Sequence, residues 1–252
     1  MGSGTKGLRR IVRYEYRFLL GANTKTDIRF ELPHLNRDMQ LYYKPDVLIT
    51  CDKPSSIKIP LLKEVFEHYP TTPINLDVKV DDNRLIHNIS ELIKEYKREH
   101  LTYWGSFSHL ICKKLDKENP RIVRFFSLKE AAYLVFAFWT GLLPFLSLKP
   151  GAFEIPFPGE VFQETTRALD RKFKTILYLV EKALHNKSLF QYLKRRGIPV
   201  YVWILNNENE FEHAFNEGAT GVMTDYPSRL SQYVKNNQNK IFKNDFELET
   251  VE

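Results

Sequence analysis

The stretch INLDVKV at 74–80, followed by DDNRLIHNISELIKEYKREH at 81–100 and LTYWGSF at 101–107, decides the fold. The first and third segments are short and rich in β-forming residues, and the segment between them repeats its apolar residues at helical spacing. A strand that is followed by a helix and then by another strand is typical of a parallel sheet. Parallel strands begin at the same end of the sheet, so a crossover connection, usually a helix, must return the chain to that end.

The same alternation continues to the end of the chain. Further strands are predicted at 121–127, 153–158, 200–206 and 221–227, and helices are predicted at 60–70, 109–119, 160–196 and 207–218. Repeated strand-helix units predict an α/β fold, and their number favours a β/α (TIM-type) barrel. A length of 252 residues fits one such domain.

The composition is that of a globular protein, with 43% hydrophobic and 27% charged residues. A net charge of +6 would suit an anionic partner, although the charges are spread and a solvated basic surface is the simpler interpretation. Two cysteines without CxxC spacing predict neither a disulfide framework nor a zinc site. With no signal-peptide pattern at the start, we expect a cytoplasmic protein or one on the cytoplasmic face of an intracellular membrane.

The segment AAYLVFAFWTGLLPFLSL at 131–148 has no charged residue. Its length allows a transmembrane helix, a helix pair at a membrane interface, or a buried helix of a soluble core. Gly141 and Pro144 argue against a single span. The aromatic residues favour the membrane interface: Tyr133, Phe136, Phe138, Trp139 and Phe145.

Candidate functional side chains follow the predicted strands. The period of two in INLDVKV puts Asn75, Asp77 and Lys79 on one face, which would be the polar interior of a barrel. There Asp77 could bind a hard cation and Lys79 a phosphate, or the two could form a structural ion pair.

The ends of the last two predicted strands carry further candidates. Trp203 and Asn206 close VYVWILN, where they could line a pocket for a polyol or choline-like group. Core packing is the alternative for the tryptophan. Thr224 and Asp225 precede Pro227, a pattern that is also common at the start of a helix.

Six strings of the sequence resemble the glycerophosphodiester phosphodiesterase family over about residues 59–232. They are IPLLKEVFEHYP (59–70), TPINLDVKV (72–80), REHLTYWG (98–105), TGLLPF (140–145), FEIPFP (153–158) and GATGVMTDYP (218–227). The similarity is greatest to the membrane-associated branch that acts as lysophospholipase D. The resemblance implies a β/α barrel that hydrolyses lysophospholipids or glycerophosphodiesters with a divalent metal, Mg²⁺ or Ca²⁺.

At matching positions the resemblance implies three roles. Asp77 stands where the family has a metal-binding acid, Lys79 where it has a phosphate-contacting lysine, and Trp203 where an aromatic residue lines the substrate pocket. The family's pattern also requires an early His-Arg-Gly strand end, a Glu-x-Asp pair of metal ligands and a second histidine in Ser-His-Asp. The sequence contains none of these strings, so we assign no catalytic residue.

These departures shape the expected organisation. We predict a divergent segment at 1–58, a β/α domain at 59–232 with the hydrophobic insertion at 131–148, and a flexible polar tail at 233–252. The barrel is expected to be incomplete because the first family strands are missing. The alternating run IVRYEYRFLL at 11–20 predicts a strand that could cover the open edge.

The expected partners follow from the same resemblance. They are a lysophospholipid or glycerophosphodiester and a membrane surface reached through 131–148. The alternative is a catalytically weak or inactive relative that binds lipids or a partner at a membrane. No nucleic-acid partner is expected, because no nucleic-acid-binding motif occurs.

Overall fold

A computed structural model describes residues 13–14, 41–44, 47–49, 60–149, 151–166 and 171–241. The strands are Arg13–Tyr14 (β1), Leu41–Lys44 (β2), Val47–Ile49 (β3), Ile74–Asp77 (β4), Thr102–Gly105 (β5), Val123–Phe125 (β6), Gly151–Pro156 (β7), Val200–Trp203 (β8) and Gly221–Thr224 (β9). The helices are Leu62–His68 (α1), Asn83–Glu95 (α2), His109–Glu118 (α3), Leu128–Trp139 (α4), Glu160–Thr166 (α5), Arg171–Leu184 (α6), Lys187–Arg195 (α7), Glu208–Glu217 (α8) and Pro227–Asn236 (α9).

The chain divides into two compact units, one of residues 17–72 and one of residues 1–16 with 73–252. In the smaller unit, β2 and β3 pair in antiparallel orientation, and α1 buries Leu62, Val65 and Phe66. The helix predicted at 60–70 is therefore present.

The larger unit contains a sheet with the strand order β1-β9-β8-β7-β6-β5-β4, and all its neighbouring strands are parallel. From β4 to β9 each strand lies beside the next one in sequence, with at least one helix between them, as right-handed β/α units require. These six strands form a curled, incomplete TIM-type barrel, which confirms the predicted fold class.

The open edge of this sheet carries β1, whose two residues pair with β9. Cα atoms of β1 also lie within 8 Å of Cα atoms of β4. This placement agrees with a strand that covers the edge. The rest of the run predicted at 11–20 lies outside the described residues.

The main core lies between the sheet and its helices. Alternate strand residues such as Phe153, Val202 and Val222 face it, and α7 and α8 contribute Phe190 and Phe211. Full burial of a side chain of this size stabilises the fold by roughly 1.5–3 kcal/mol. Because the strand period is two, the intervening residues point to the other face and line the barrel interior.

Local signals set the helix ends. The Asp82 carboxylate accepts hydrogen bonds from Arg84 N at 2.8 Å and Leu85 N at 3.2 Å, which satisfies free amides at the start of α2. Gly218 ends α8 with φ +97°, a left-handed conformation that glycine adopts without strain. The helical stretch predicted at 160–196 contains α5, α6 and α7, and Asn186 starts the last of them by capping Ser188 N and Leu189 N.

The uncharged segment 131–148 contributes most of α4 and a 3-10 turn at Leu143–Phe145. One side of α4 is buried in the core through Ala131, Leu134, Val135 and Ala137, whereas its other side is exposed. In the described part of the chain, no helix combines the length and the apolar character that crossing a bilayer requires.

Ordered structure continues past residue 232, the predicted end of the β/α domain. Helix α9 continues to Asn236, and Ile241 is buried against the core. Residues 242–252 of the predicted polar tail lie outside the described residues.

Candidate functional site

The inner face of the curled sheet carries a small apolar cluster and a polar pair. Phe125, Ala152, Tyr201 and Met223 are buried together. Close packing here explains a glycine, because a Cβ on Gly105 would lie 2.7 Å from ring atoms of Phe125. The interior is therefore filled with side chains at the level of these strands.

The polar pair joins strands that are not neighbours in the sheet. Asn75 on β4 donates a hydrogen bond from Nδ2 to Glu154 Oε2 on β7 at 3.0 Å. Two other strands separate β4 from β7 in the sheet order, so this bond spans the interior of the curl. Sequence reasoning placed Asn75 on the polar face but did not single out Glu154. The period of two in FEIPFP, which sets Glu154 apart from Phe153 and Ile155, could have found it.

Asp77 and Lys79 lie at the carboxyl end of β4, where β/α barrels place their chemistry. The Lys79 ammonium is in direct contact with Asp77 Oδ2. Their side chains are 22% and 39% exposed, respectively, so the pair is partly solvated and contributes little to stability. The ion pair that we considered as an alternative is thus present, in a position that solvent and small molecules can reach.

Phe107 connects this pair to the third predicted site residue. Lys79 Nζ lies 4.7 Å from the centroid of the Phe107 ring. The same ring stacks on Trp203, with centroids 5.8 Å apart and planes inclined by 26°. Asp77, Lys79 and Trp203 are therefore brought together through Phe107. Sequence reasoning missed Phe107, although the period of two continued from Tyr103 and Gly105 would have placed it on the interior face.

The Asn206 side chain forms hydrogen bonds with residues at the end of β9. Its Nδ2 donates to Asp225 Oδ2 at 3.0 Å, and its Oδ1 accepts from Thr224 Oγ1 at 3.1 Å and from Asp225 N at 3.0 Å. The amide therefore ties the loop after β8 to the end of β9. Both ends of the amide thus have protein partners, and its role in lining a pocket stays a prediction.

Glu210 connects the loops that follow β7 and β8. Its carboxylate accepts from Glu160 N at 2.6 Å and from Asn206 N at 2.9 Å. A Cβ on Gly159 would collide with Glu210 Oε1, so glycine at this position allows the close approach. The loops after β7 and β8 are thus held in one arrangement beside the aromatic pair.

The strand-end site offers two oxygen atoms that suit a divalent metal. Asp77 Oδ1 and Asn75 Oδ1 are buried and accept no hydrogen bond within the described part of the chain. Such oxygens suit Mg²⁺ or Ca²⁺, but these cations take six or more ligands. Asp77 and Asn75 thus supply the right chemistry for part of a coordination shell.

A second group of possible metal ligands lies on the helices. Ligand atoms of His87 and Glu91 on α2 and of Glu118 on α3 lie within 4.8 Å of one another. Both α2 residues are exposed, and His87 Nδ1 lies 2.8 Å from Glu118 Oε1. This group is separate from the strand-end site.

Comparison with known proteins gives a family. The sequence pattern of the glycerophosphoryl diester phosphodiesterase family matches residues 31–229. Lysophospholipase D GDPD1 of Rattus norvegicus is 48% identical over 180 residues, which are 71% of this chain and 57% of that protein. Lysophospholipase D GDPD3 of Homo sapiens is 31% identical over 208 residues, which are 82% of this chain and 64% of that protein. The chain thus spans less than two thirds of the length of either relative.

A solved structure supports the fold. The glycerophosphoryl diester phosphodiesterase domain of a protein from Mycobacterium tuberculosis superposes with a TM-score of 0.54 at 13% identity, and the match covers 75% of this chain and 68% of that domain. At this identity the likeness concerns the fold alone. The matched sequence pattern, the two relatives and the curled parallel sheet agree. The chain belongs to the glycerophosphoryl diester phosphodiesterase family.

Proposed function

We propose that this protein is a metal-dependent phosphodiesterase of the lysophospholipase D type, which hydrolyses lysophospholipids or glycerophosphodiesters. The observation that carries the proposal is the run of contacts from Asp77 through Lys79 and Phe107 to Trp203 at the carboxyl ends of the strands. The names of the two relatives support the reaction class. A site that binds a phosphodiester with a polar head group needs an anionic group for the metal, a cationic group for the phosphate and an aromatic wall for the head group.

Lys79 is the proposed phosphate contact. Its ammonium is a compact, flexible point charge, and it can turn from Asp77 toward a phosphoryl oxygen at little cost because the pair is partly solvated. Phe107 and Trp203 form the proposed wall against the glycerol or head group. Phe107 is 46% exposed, so a ligand can contact its ring.

Asp77 is the proposed metal ligand, with Asn75 beside it. When bound, Mg²⁺ or Ca²⁺ would neutralise charge on the phosphoryl oxygens. Asp77 Oδ1 and Asn75 Oδ1 would bind the cation, and Asp77 Oδ2 contacts the Lys79 ammonium until a phosphoryl oxygen replaces it. The remaining ligands come from other groups.

A second candidate function is binding without turnover. It is favoured by the sequence itself, which lacks the His-Arg-Gly, Glu-x-Asp and Ser-His-Asp strings of the family. Each missing acid-base group would lower the rate by about 10²- to 10⁴-fold. In this case the same contacts would hold a lysophospholipid or glycerophosphodiester without cleaving it.

Choline release from lysophosphatidylcholine, measured with Mg²⁺ or Ca²⁺ and after EDTA treatment, separates the two candidates. Hydrolysis predicts metal-dependent release that Asp77→Ala reduces by at least about 100-fold. Asp81→Ala is the matched control. Asp81 is an exposed acid on the loop after β4, and it pairs with Lys114 of α3. No release by the unsubstituted protein, or equal release by Asp77→Ala, would contradict the hydrolytic proposal.

We also place the protein in the cytoplasm or on the cytoplasmic face of an intracellular membrane, which it would reach through 131–148. The exposed aromatic side of α4 and the net charge of +6 support contact with a membrane surface. Fractionation of cells that express the tagged chain tests this location. Recovery in the lumen of a secretory compartment would contradict it.

A further inference from the structure

A layer of polar and aromatic side chains crosses the barrel interior. Asn75 and Tyr103 lie at the same level on β4 and β5, and Glu154 and Tyr201 lie at the same level on β7 and β8. The rings of Tyr103 and Tyr201 meet edge to face, with centroids 6.5 Å apart. The hydrogen bond between Asn75 and Glu154 closes the layer from the other side. We call these four residues the interior layer.

The interior layer lies directly under the strand-end site. Asp77 follows Asn75 by two residues on β4, and Trp203 follows Tyr201 by two residues on β8. Side chains two residues apart on a strand point to the same face, and they are separated by about 7 Å along the strand. Glu154 is therefore connected to the strand-end site through Asn75.

The position of Glu154 requires an explanation. Asp77 and Glu154 are the two acidic residues in strands β4 to β9. On either side of Glu154, Phe153 and Ile155 are buried in the main core, so Glu154 points to the barrel interior. An acidic side chain inside a barrel costs free energy unless it forms hydrogen bonds or ion pairs. Holding a polar partner accounts for a carboxylate at this position.

The bond to Glu154 sets the orientation of the Asn75 amide. Asn75 Nδ2 donates to Glu154 Oε2 at 3.0 Å. A carboxylate accepts hydrogen bonds and donates none, so the amino end of the amide faces Glu154 and the carbonyl end points elsewhere. The reverse orientation would bring Asn75 Oδ1 against a carboxylate oxygen, and two acceptors repel each other. An apolar residue at position 154 would remove this constraint.

The carbonyl end of Asn75 matches what a cation needs. Asn75 Oδ1 is buried and accepts no hydrogen bond within the described residues, and the same holds for Asp77 Oδ1 on the same face of β4. A buried acceptor without a donor is costly, and coordination of a hard cation by that oxygen would offset the cost.

We propose that Glu154 is a positioning residue of the strand-end site, which holds the Asn75 amide so that Oδ1 is available to a divalent cation beside Asp77. A group that orients a metal ligand in this way changes metal affinity by about 10- to 100-fold. The proposal rests on the proposed function, since it assumes that Asp77 and Asn75 bind the cation.

Calorimetric titration of the full chain with Ca²⁺, in the absence of a phosphodiester, tests this role. Glu154→Leu removes the acceptor and should weaken Ca²⁺ binding by about 10- to 100-fold. Glu154→Gln keeps an acceptor for Asn75 Nδ2 and should weaken binding by less than about fivefold. In the Asn75→Ala background, Glu154→Leu should change the affinity by less than about threefold, because Glu154 acts through Asn75.

Ile155→Val is the matched control, because Ile155 is the next residue on β7 and packs in the main core. It should lower the free energy of unfolding without changing Ca²⁺ affinity. Urea unfolding without Ca²⁺ establishes that each variant is folded. Unchanged Ca²⁺ affinity in Glu154→Leu, or equal losses from this substitution with and without Asn75, would overturn the proposal. Equal losses from Glu154→Gln and Glu154→Leu would also overturn it and would assign Glu154 a role through its charge.

The outcome is distinguishable from that of the proposed function, because Ca²⁺ binding is measured without turnover. Ca²⁺ binding that responds to Glu154 as expected, without choline release, would refute only the hydrolysis. Metal-dependent choline release that Asp77→Ala abolishes, with unchanged Ca²⁺ affinity in Glu154→Leu, would refute only the role of Glu154. Absence of Ca²⁺ binding by the unsubstituted protein would contradict the metal site and this role together.

Discussion

The substitution Glu130→Gln tests how α4 is fixed to the barrel. Arg124, a residue of β6 that is 9% exposed, donates from Nη1 and Nη2 to the two carboxylate oxygens of Glu130, each at 2.7 Å, and from Nε to Asp116 at 2.9 Å. Glu130 also accepts from Ser127 N at 2.9 Å and from Ser127 Oγ at 2.6 Å. This bidentate ion pair between Arg124 and Glu130 connects the sheet to the first turn of α4.

The expected loss of stability can be estimated from the pKa of the Glu130 carboxyl. Burial alone would raise the pKa of its carboxyl, but hydrogen bonds from Arg124 and Ser127 outweigh burial and lower the pKa from 4.5 to about 2. The difference corresponds to about 3 kcal/mol of folding stability at neutral pH. Because the folded-state pKa is below the unfolded-state value, this stability is present above pH 4.5 and is lost as the pH falls toward 2.

Glu130→Gln should therefore lower the free energy of unfolding by about 2–4 kcal/mol at pH 7, since it also leaves Arg124 with less charge compensation. Urea unfolding, followed by tryptophan fluorescence at several pH values, measures the effect. The loss should shrink below pH 4.5, where the unsubstituted protein loses the same stabilisation. Glu91→Gln, at an exposed acid, is the control and should change little. A Glu130→Gln loss below about 1 kcal/mol, or one that does not shrink in acid, would refute this account of the ion pair.

Two further substitutions test the packing around the site. Gly159→Ala should lower stability by about 1–3 kcal/mol in thermal unfolding, because its methyl group would collide with Glu210; an unchanged midpoint would contradict the close approach. His185→Leu should cost about 2–3 kcal/mol, because His185, whose side chain is 5% exposed, contacts Glu217 at 3.2 Å and a backbone carbonyl at 2.8 Å. His213→Leu is its control, since His213 contacts the same glutamate but is 62% exposed, and equal losses for both histidines would contradict the role of burial.

Local periodicity predicted much of the fold. The strand INLD and the helix after it were recognisable because their spacing depends only on neighbouring residues. The order of strands and helices then gave the parallel sheet. The pattern at 160–196 predicted helical structure but not where one helix ends and the next begins, because the start of α7 at Asn186 depends on one capping side chain.

Contacts between distant residues could not be predicted in this way. Asp77 and Lys79 were found because they are two residues apart, but the bond between Asn75 and Glu154 joins residues 79 positions apart. Phe107 became part of the site only once β5 and β8 were brought into one barrel. The buried side of α4, within the segment 131–148, could not be predicted either, because composition alone does not show which side of an apolar helix packs against the core.

Both candidate functions require that the strand-end site binds a phosphodiester, and calorimetric titration with glycerophosphocholine in the presence of Mg²⁺ measures this most directly. The account predicts saturable binding to the full chain that Lys79→Ala and Trp203→Ala each weaken by about tenfold or more, with Asp81→Ala unchanged. Absence of binding, or binding that neither substitution affects, would contradict it.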